Sequence, residues 1–166
     1  MLANYLTGVK HRKTAVLEWN NHGDFDRFGV QCLGLKQPID RYAILGASYF
    51  PRADNETLIQ CMSGDCQVVL LDCGREKEGR RADLIRCSKK LIIGSFSEWQ
   101  SETYMPLLRE RKQPKEGWHY FCTFGSEEAR IAAEKQVKIS IERVPYTQDA
   151  YGVTKETISL FGRLFR

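Results

Sequence analysis

The sequence has no run of about 18 apolar residues, so no segment is written to cross a bilayer as a helix. Its start, Met1-Leu2-Ala3-Asn4-Tyr5-Leu6, lacks the basic stretch and long apolar core of a secretory signal. Without such a signal the expected setting is the cytoplasm, where thiols stay reduced, so the six cysteines (Cys32, Cys61, Cys66, Cys73, Cys87, Cys122) are not expected to form a disulfide framework. No C-x-x-C pair occurs, and structural zinc sites usually use tighter ligand pairs than Cys61, Cys66 and Cys73 offer. There is no Gly-x-Ser-x-Gly, no Cys–His pairing, and no metal-ligand spacing among His11, His22 and His119. Internal repeats, low-complexity tracts and an obvious linker are also absent. Neither charge sign dominates: 25 Lys and Arg face 21 Asp and Glu, for a net +4. That balance neither requires nor excludes a nucleic-acid partner. Basic residues gather at 10–13, 75–86 and 109–115, and solvated loops account for them as well as a phosphate-binding face does.

What is present is a chain of 166 residues, 42% hydrophobic, sized for one domain spanning residues 1–166. Short apolar runs alternate with amphipathic stretches, the pattern of βαβ units and a mostly parallel sheet with helices on both faces. Residues 1–8 read as the tail of a helix stopped by Gly8. Strands are expected over 14–20, within 42–50, and over 67–71, 90–95, 118–123 and 137–144. The QVVLL run at 67–71 reads as the cleanest buried strand. Residues 21–24 are turn chemistry, and 25–30 carry no clear signal. Helices are expected over 55–62 (cap Asp54 or Asn55), 97–111 (cap Ser97, with Trp99 and Tyr104 inward), 126–136 (cap Ser126) and 154–165. A short helix or turn is expected at 82–87, with polar loops at 75–81 and 112–117. Trp118 reads as core. The last helix either packs on the sheet or lies on a membrane surface.

In open α/β sheets, ligands bind beyond the carboxyl ends of the strands. The residues there are Asn20 and Asp24 after the first strand, Asp72 and Gly74 after QVVLL, Thr123 after WHYFCT, and Pro145 after the last strand. Asp72 is the sharpest. An acid directly behind an apolar strand and followed by x-Gly suits a carboxylate holding the water shell of Mg²⁺, with Gly74 letting a backbone N–H approach a phosphate. It equally suits a turn cap. Asp24 suits a phosphate-responsive water position or an ordinary turn. The segment from Gly8 to Thr14 superficially resembles a phosphate loop, but it lacks the second glycine and precedes a strand, whereas a P-loop follows one.

Beyond these single positions, LANYLTGVKHRKTAVLEWNNHGDF (Leu2 to Phe25) resembles the stretch that follows the P-loop in MinD/ParA-type ATPases. GDCQVVLLDCG (Gly64 to Gly74) resembles their Walker B strand, and CSKKLIIGSFSEWQ (Cys87 to Gln100) the strand and helix after it. FCTFGSEE (Phe121 to Glu128) and RVPY (Arg143 to Tyr146) resemble the segments that meet the base. The branch that includes the TadZ/CpaE-like pilus-assembly proteins is nearest. The resemblance implies a P-loop NTPase-like fold without its first strand, ATP and Mg²⁺ as ligands of the full-length family, and a protein partner or homodimer. It gives Asp72 the Mg²⁺ water shell, Gly74 the γ-phosphate side, Asp24 or Asn20 the first switch, and Thr123 and Pro145 the base. The chain departs from the pattern in three places: it holds no P-loop strand or loop, Thr123 stands where a base-reading Asn is common, and Asn20 where an acid is common. Hydrolysis depends on charge neutralisation by that loop, so these residues alone are expected not to hydrolyse nucleotide. A non-enzymatic interaction module of the same fold, binding through exposed strand edges or the 75–86 segment, is the alternative.

Overall fold

The computed structural model describes residues 1–75, 81–110, 116–149 and 151–165. The architecture is α/β, and its contacts divide into two compact units: residues 1–82 with 148–166, and residues 83–147. Most of the 75–81 and 112–117 loops expected from the sequence lies outside the described residues.

In the first unit, β1 (Thr14–Glu18) is central, with every residue buried. It pairs in parallel with β3 (Ala47–Phe50) on one side and β4 (Val68–Asp72) on the other. β2 (Tyr42–Ile44) pairs antiparallel with β3, giving the order β2-β3-β1-β4. Alternating residues point to opposite faces, and both faces of this sheet are covered. Ala15 and Leu17 pack with Trp19, Ala53 and Cys61, the last on α3 (Asn55–Ser63). Val16 and Ala47 pack with Ala3 of α1 (Leu2–Asn4), with Phe25 of α2 (Asp24–Leu33) packed against them. Strands covered on both faces carry continuous apolar runs rather than alternation, as TAVL and VVLL do here.

Several expectations need correction. The cleanest buried strand is β1; Val68–Leu71 of β4 are only half-buried. Residues 24–33 form a helix whose amide ends are framed by left-handed Gly23 and Gly34. Residues 42–50 are a two-stranded hairpin, because Leu45 (φ 47°) and Gly46 (φ 85°) turn the chain with two positive φ angles. Leucine is a poor signal for such a turn, which hides it in the sequence. The N-terminal helix does not stop at Gly8; α1 runs into a π-helical turn over Tyr5–Val9. Asp54 caps α3 as expected, accepting from Thr57 N at 2.9 Å.

α7 (Lys155–Leu164) closes this unit. Thr154 caps it by accepting from Thr157 N. Its Thr157, Leu160, Phe161 and Leu164 are buried, whereas Ile158 is partly exposed. Phe161 packs on Tyr5, with ring centroids 5.4 Å apart, and Asn4 Nδ2 donates to Tyr151 O at 3.0 Å. The helix therefore has a protein surface for its apolar face in the N-terminal helical turn.

The second unit is a parallel three-stranded sheet, β5 (Lys90–Gly94), β6 (Trp118–Cys122) and β7 (Ile141–Arg143), with β6 central. The short helix α4 (Arg81–Arg86) precedes it. α5 (Ser101–Glu110) and α6 (Glu127–Val137) share one core with Tyr120, Cys122 and Ile141 through Tyr104, Leu108, Ala133 and Val137. Tyr104 is inward as expected, and its hydroxyl donates to Phe121 O at 2.9 Å. Trp99 is not: it is 90% exposed, because α5 begins at Ser101 and leaves it in the preceding turn. Ser97 consequently caps no helix residue by its side chain and instead accepts a bond from Ser95 Oγ. β5 was expected buried, yet Ile93 is 60% exposed. The expected strand over 137–144 shortens to Ile141–Arg143. α6 runs through Val137, and Lys138 (φ 57°) ends it in the left-handed region. Trp118 is only partly buried, packed against the core.

Ser126 caps α6, its hydroxyl accepting from Ala129 N at 3.1 Å. Ser126→Ala should destabilise this unit by about 1 kcal/mol, the usual loss for a serine cap, read as a lower urea midpoint at unchanged slope. Among the described residues, no helix is long and apolar enough to cross a membrane.

Candidate functional site

The carboxyl ends of β1 and β4 lie side by side, because Glu18 and Asp72 are register partners. The chain continues from β1 through Trp19 and Asn20, and both reach across: Trp19 N donates to Asp72 O at 2.8 Å, and Asn20 Nδ2 donates to the same oxygen at 2.9 Å. Asn20 Oδ1 accepts from His22 N at 2.8 Å, fixing the loop that leads to α2. Gly74 takes φ +62°, and a Cβ there would meet Asn20 Cβ at 2.9 Å and His22 Cε1 at 3.0 Å. A glycine is thus required both by conformation and by crowding. Four sequence candidates, Asn20, Asp24, Asp72 and Gly74, belong to this unit, and three of them meet directly.

Their chemistry differs from the expectation in detail. The Asp72 carboxylate is exposed at the strand end, and one oxygen accepts from Gly74 N at 3.1 Å. The Gly74 amide is therefore turned towards its own aspartate, a closed turn of the Asx kind. Asp24 is the first residue of α2 rather than a loop residue. Its carboxylate pairs with Arg27 and stands 3.8 Å from His22 Nδ1. Thr123 and Pro145 belong to the second unit. Thr123 Oγ1 donates to Gly94 O at 3.2 Å, which ties β6 to β5.

Sequence reasoning missed the most buried polar group here. Glu18 is 1% exposed at the carboxyl end of the apolar strand β1. Its two oxygens accept from Phe25 N at 3.1 Å and Arg52 N at 3.2 Å, which joins the start of α2 to the loop after β3. A charged residue inside a buried strand must find such partners, so the TAVLEWN run did carry the signal. Arg52 carried none. It sits at φ +51°, a conformation unusual for a side-chain-bearing residue, and its guanidinium pairs with Asp26 at 3.1 Å. Asp26, Arg52 and Asn20 line an open cleft of about 430 Å³ beside the β1 end. Asp26 Oδ1 is buried there without a hydrogen-bond partner among the described residues.

A bound Mg²⁺ with a nucleotide makes two demands on such a site. The exposed Asp72 carboxylate meets the first, an oxygen for the water shell of the cation. The second, a cradle of free backbone N–H groups with a lysine, is not met by the described residues of the cleft: the Gly74 N–H is spent on Asp72, and Arg27 and Arg52 are paired with acids.

None of the six cysteines is in a disulfide, and the described residues contain no group of three or more ligands able to hold a metal. Burial pushes the Cys61 and Cys122 thiols up, and the thiolate is the reactive form. In the folded protein, Cys32 should therefore react first with a disulfide reagent and Cys61 and Cys122 last, with all six titrating after denaturation.

No family model matches the sequence, and neither does any curated protein. Among solved structures, the chain is similar to the crystal structure of a ParA family ATPase from Chlorobium tepidum TLS, with a TM-score of 0.54 at 13% identity, over 98% of this chain and 83% of that one. At that identity the likeness is one of fold: an α/β architecture shared with a P-loop ATPase.

Proposed function

We propose that this chain is a cytoplasmic module of the MinD/ParA-like ATPase fold, of the kind that positions or assembles a cellular structure (septum, chromosome-partition or pilus type), and that residues 1–166 by themselves bind nucleotide weakly or not at all and do not hydrolyse it. The observation that carries this is the junction of Asp72, Gly74 and Asn20 at the ends of two neighbouring parallel strands. In this reading Asp72 holds a hydrated Mg²⁺, Gly74 and Asn20 shape the loop beside it, Asp24 answers to the nucleotide state, and Thr123 and Pro145 flank the base. The TadZ/CpaE-like branch is the nearest match in motif order. Phosphoryl transfer needs dense positive charge around the transferred group, which these residues do not supply.

Calorimetry with ATP and Mg²⁺ tests this, on the chain and on Asp72→Ala, together with phosphate release. The expected result is binding no tighter than about 1 mM, worth roughly 4 kcal/mol, and phosphate release at background. Micromolar binding that Asp72→Ala abolishes would sink the claim, because another segment would then be supplying the phosphate cradle.

A second reading, a pseudo-ATPase that binds a protein partner or a second copy, is favoured by the Gly74 amide being closed onto Asp72. It expects partner binding indifferent to ATP and Mg²⁺. Nucleic acid and a membrane surface are weaker candidates: the charge is balanced, and the apolar face of α7 is spent on Tyr5.

A further inference from the structure

Two thiols meet in the first unit. Cys61 of α3 is 5% exposed within the cluster of Ala15 and Leu17, and the half-buried Cys66 packs against that cluster. Only the turn from α3 to β4 separates them in the chain, and it is anchored. Gly64 N donates to Gln60 O at 3.0 Å, and Gln67 N donates to Lys13 O at 2.9 Å. Lys13 N donates in return to Gln67 Oε1 at 3.2 Å, and the Lys13 ammonium pairs with Asp65. Cys66 therefore sits between two fastened neighbours, Asp65 and Gln67.

The pair also has a cation. Burial first, then the charge of Cys66 and a hydrogen bond with its thiol, push the Cys61 thiol up, and the Arg41 guanidinium pulls it the other way. Arg41 is held over the Phe50 ring, 5.6 Å from its centre, and by a bond from Nη2 to Ser48 Oγ at 3.0 Å. A fixed positive charge favours the thiolate, the form that attacks a disulfide. Cys73 packs on the same cluster but follows β4 instead of preceding it. Along an extended chain it is roughly 20 Å from Cys66, far beyond the about 7 Å that a disulfide spans between Cα atoms.

We propose that Cys61 and Cys66 are a thiol–disulfide switch, oxidised by a low-molecular-weight disulfide of the glutathione class and reset by free thiol. The Cys66 thiolate, the more accessible of the two, attacks one sulfur of the small disulfide. That S–S bond breaks, and the first small thiolate leaves and takes up a proton. Cys61 then gives up its proton and attacks the Cys66 sulfur of the mixed disulfide. The Cys61–Cys66 bond forms, and the second small thiolate leaves with that proton. Two protein thiols are oxidised by two electrons, and one small disulfide is reduced to two thiols. Cys61 itself stays shielded from the reagent; its partner delivers the oxidation to it. Thiol pairs that oxidise in a reducing compartment are usually transient, sensing ones. The closed bond staples the end of α3 to the start of β4. The site uses no nucleotide and lies at the opposite end of β4 from Asp72.

Incubation of the folded chain with glutathione disulfide, followed by alkylation and mass-spectrometric mapping, tests this. Cys61 should lose its thiol about tenfold faster than Cys122, the other buried cysteine, and should be found bonded to Cys66, with dithiothreitol restoring both. Cys66→Ser should slow the loss at Cys61 to the rate of Cys122, and Cys61→Ser should leave glutathione on Cys66. Equal rates at Cys61 and Cys122 in the unaltered chain overturn the proposal. So does loss at Cys61 that Cys66→Ser leaves unchanged, or a bond from either residue to a different cysteine. If Cys61→Ser does not fold, the Cys66→Ser comparison decides alone, since Cys66 lies half-buried in a turn.

Discussion

Gly94→Ala is expected to destabilise the second unit by about 3 kcal/mol or more, at the upper end for overpacking. A Cβ at Gly94 would stand 2.2 Å from Tyr104 Cγ, well inside contact distance. Neither side can yield cheaply. Gly94 is the last residue of β5 and pairs with Cys122 of the central strand. The Tyr104 ring is 4% exposed, and its hydroxyl is anchored to Phe121 O. The backbone at Gly94 is thus the floor on which the ring lies. Chemical denaturation should show the loss, and a double mutant can assign it. Tyr104→Ala alone should cost about 3–5 kcal/mol by emptying the core, but Gly94→Ala added to it should cost far less than in the unaltered chain. Additive losses would mean that the clash with Tyr104 is not the cause.

Glu18→Ala should have the largest effect in the first unit. The carboxylate holds two backbone N–H groups from separate segments, Phe25 in α2 and Arg52 after β3, at the carboxyl end of a fully buried strand. Its removal leaves both donors short of a partner and opens a void. At roughly 1–3 kcal/mol per unsatisfied group, a loss of about 3 kcal/mol is expected, lowering the unfolding midpoint of a unit this size by roughly 10 °C or more. Glu18→Gln keeps one acceptor but turns an amide donor towards the second N–H, so it should fall between the two. A thermal melt that leaves Glu18→Ala within about 2 °C of the unaltered chain would show that water or a shifted loop takes over both bonds.

The sequence announced elements whose signal is local. Asp54 and Ser126 are caps because their side chains answer nearby amides, and both sit one residue before their helices. The short, mostly apolar stretches at 14–18, 68–71 and 118–122 became strands because a stretch of that length and character has few other uses in an α/β chain. What stayed hidden depends on distant partners. Trp99 looks inward by hydrophobicity alone, and only the late start of α5 puts it in solvent. The hairpin turn at Leu45-Gly46 and the left-handed Arg52 are held by the surrounding structure against the preference of their residue types. At the candidate site, Asp72, Gly74 and Asn20 could be nominated from their places after strands. The closing of Gly74 N onto Asp72 is the local turn cap that Asp72 also suited, whereas the bond from Asn20 to Asp72 O joins residues 52 apart and could not be nominated from the sequence.

The first unit is discontinuous: its last helix comes from residues 155–164, after the whole second unit has intervened in the chain. During synthesis, at roughly ten residues per second, the stretch from Ala82 to Gln148 occupies the ribosome for several seconds. Throughout that time Tyr5, almost fully buried in the folded chain, has no Phe161 to cover it. The second unit, continuous in sequence, can fold as soon as it emerges, whereas the part made first must wait to be finished last. The N-terminal helical turn is therefore the segment a holding chaperone would meet, and the emergence of residues 155–164 is the event that ends its exposure.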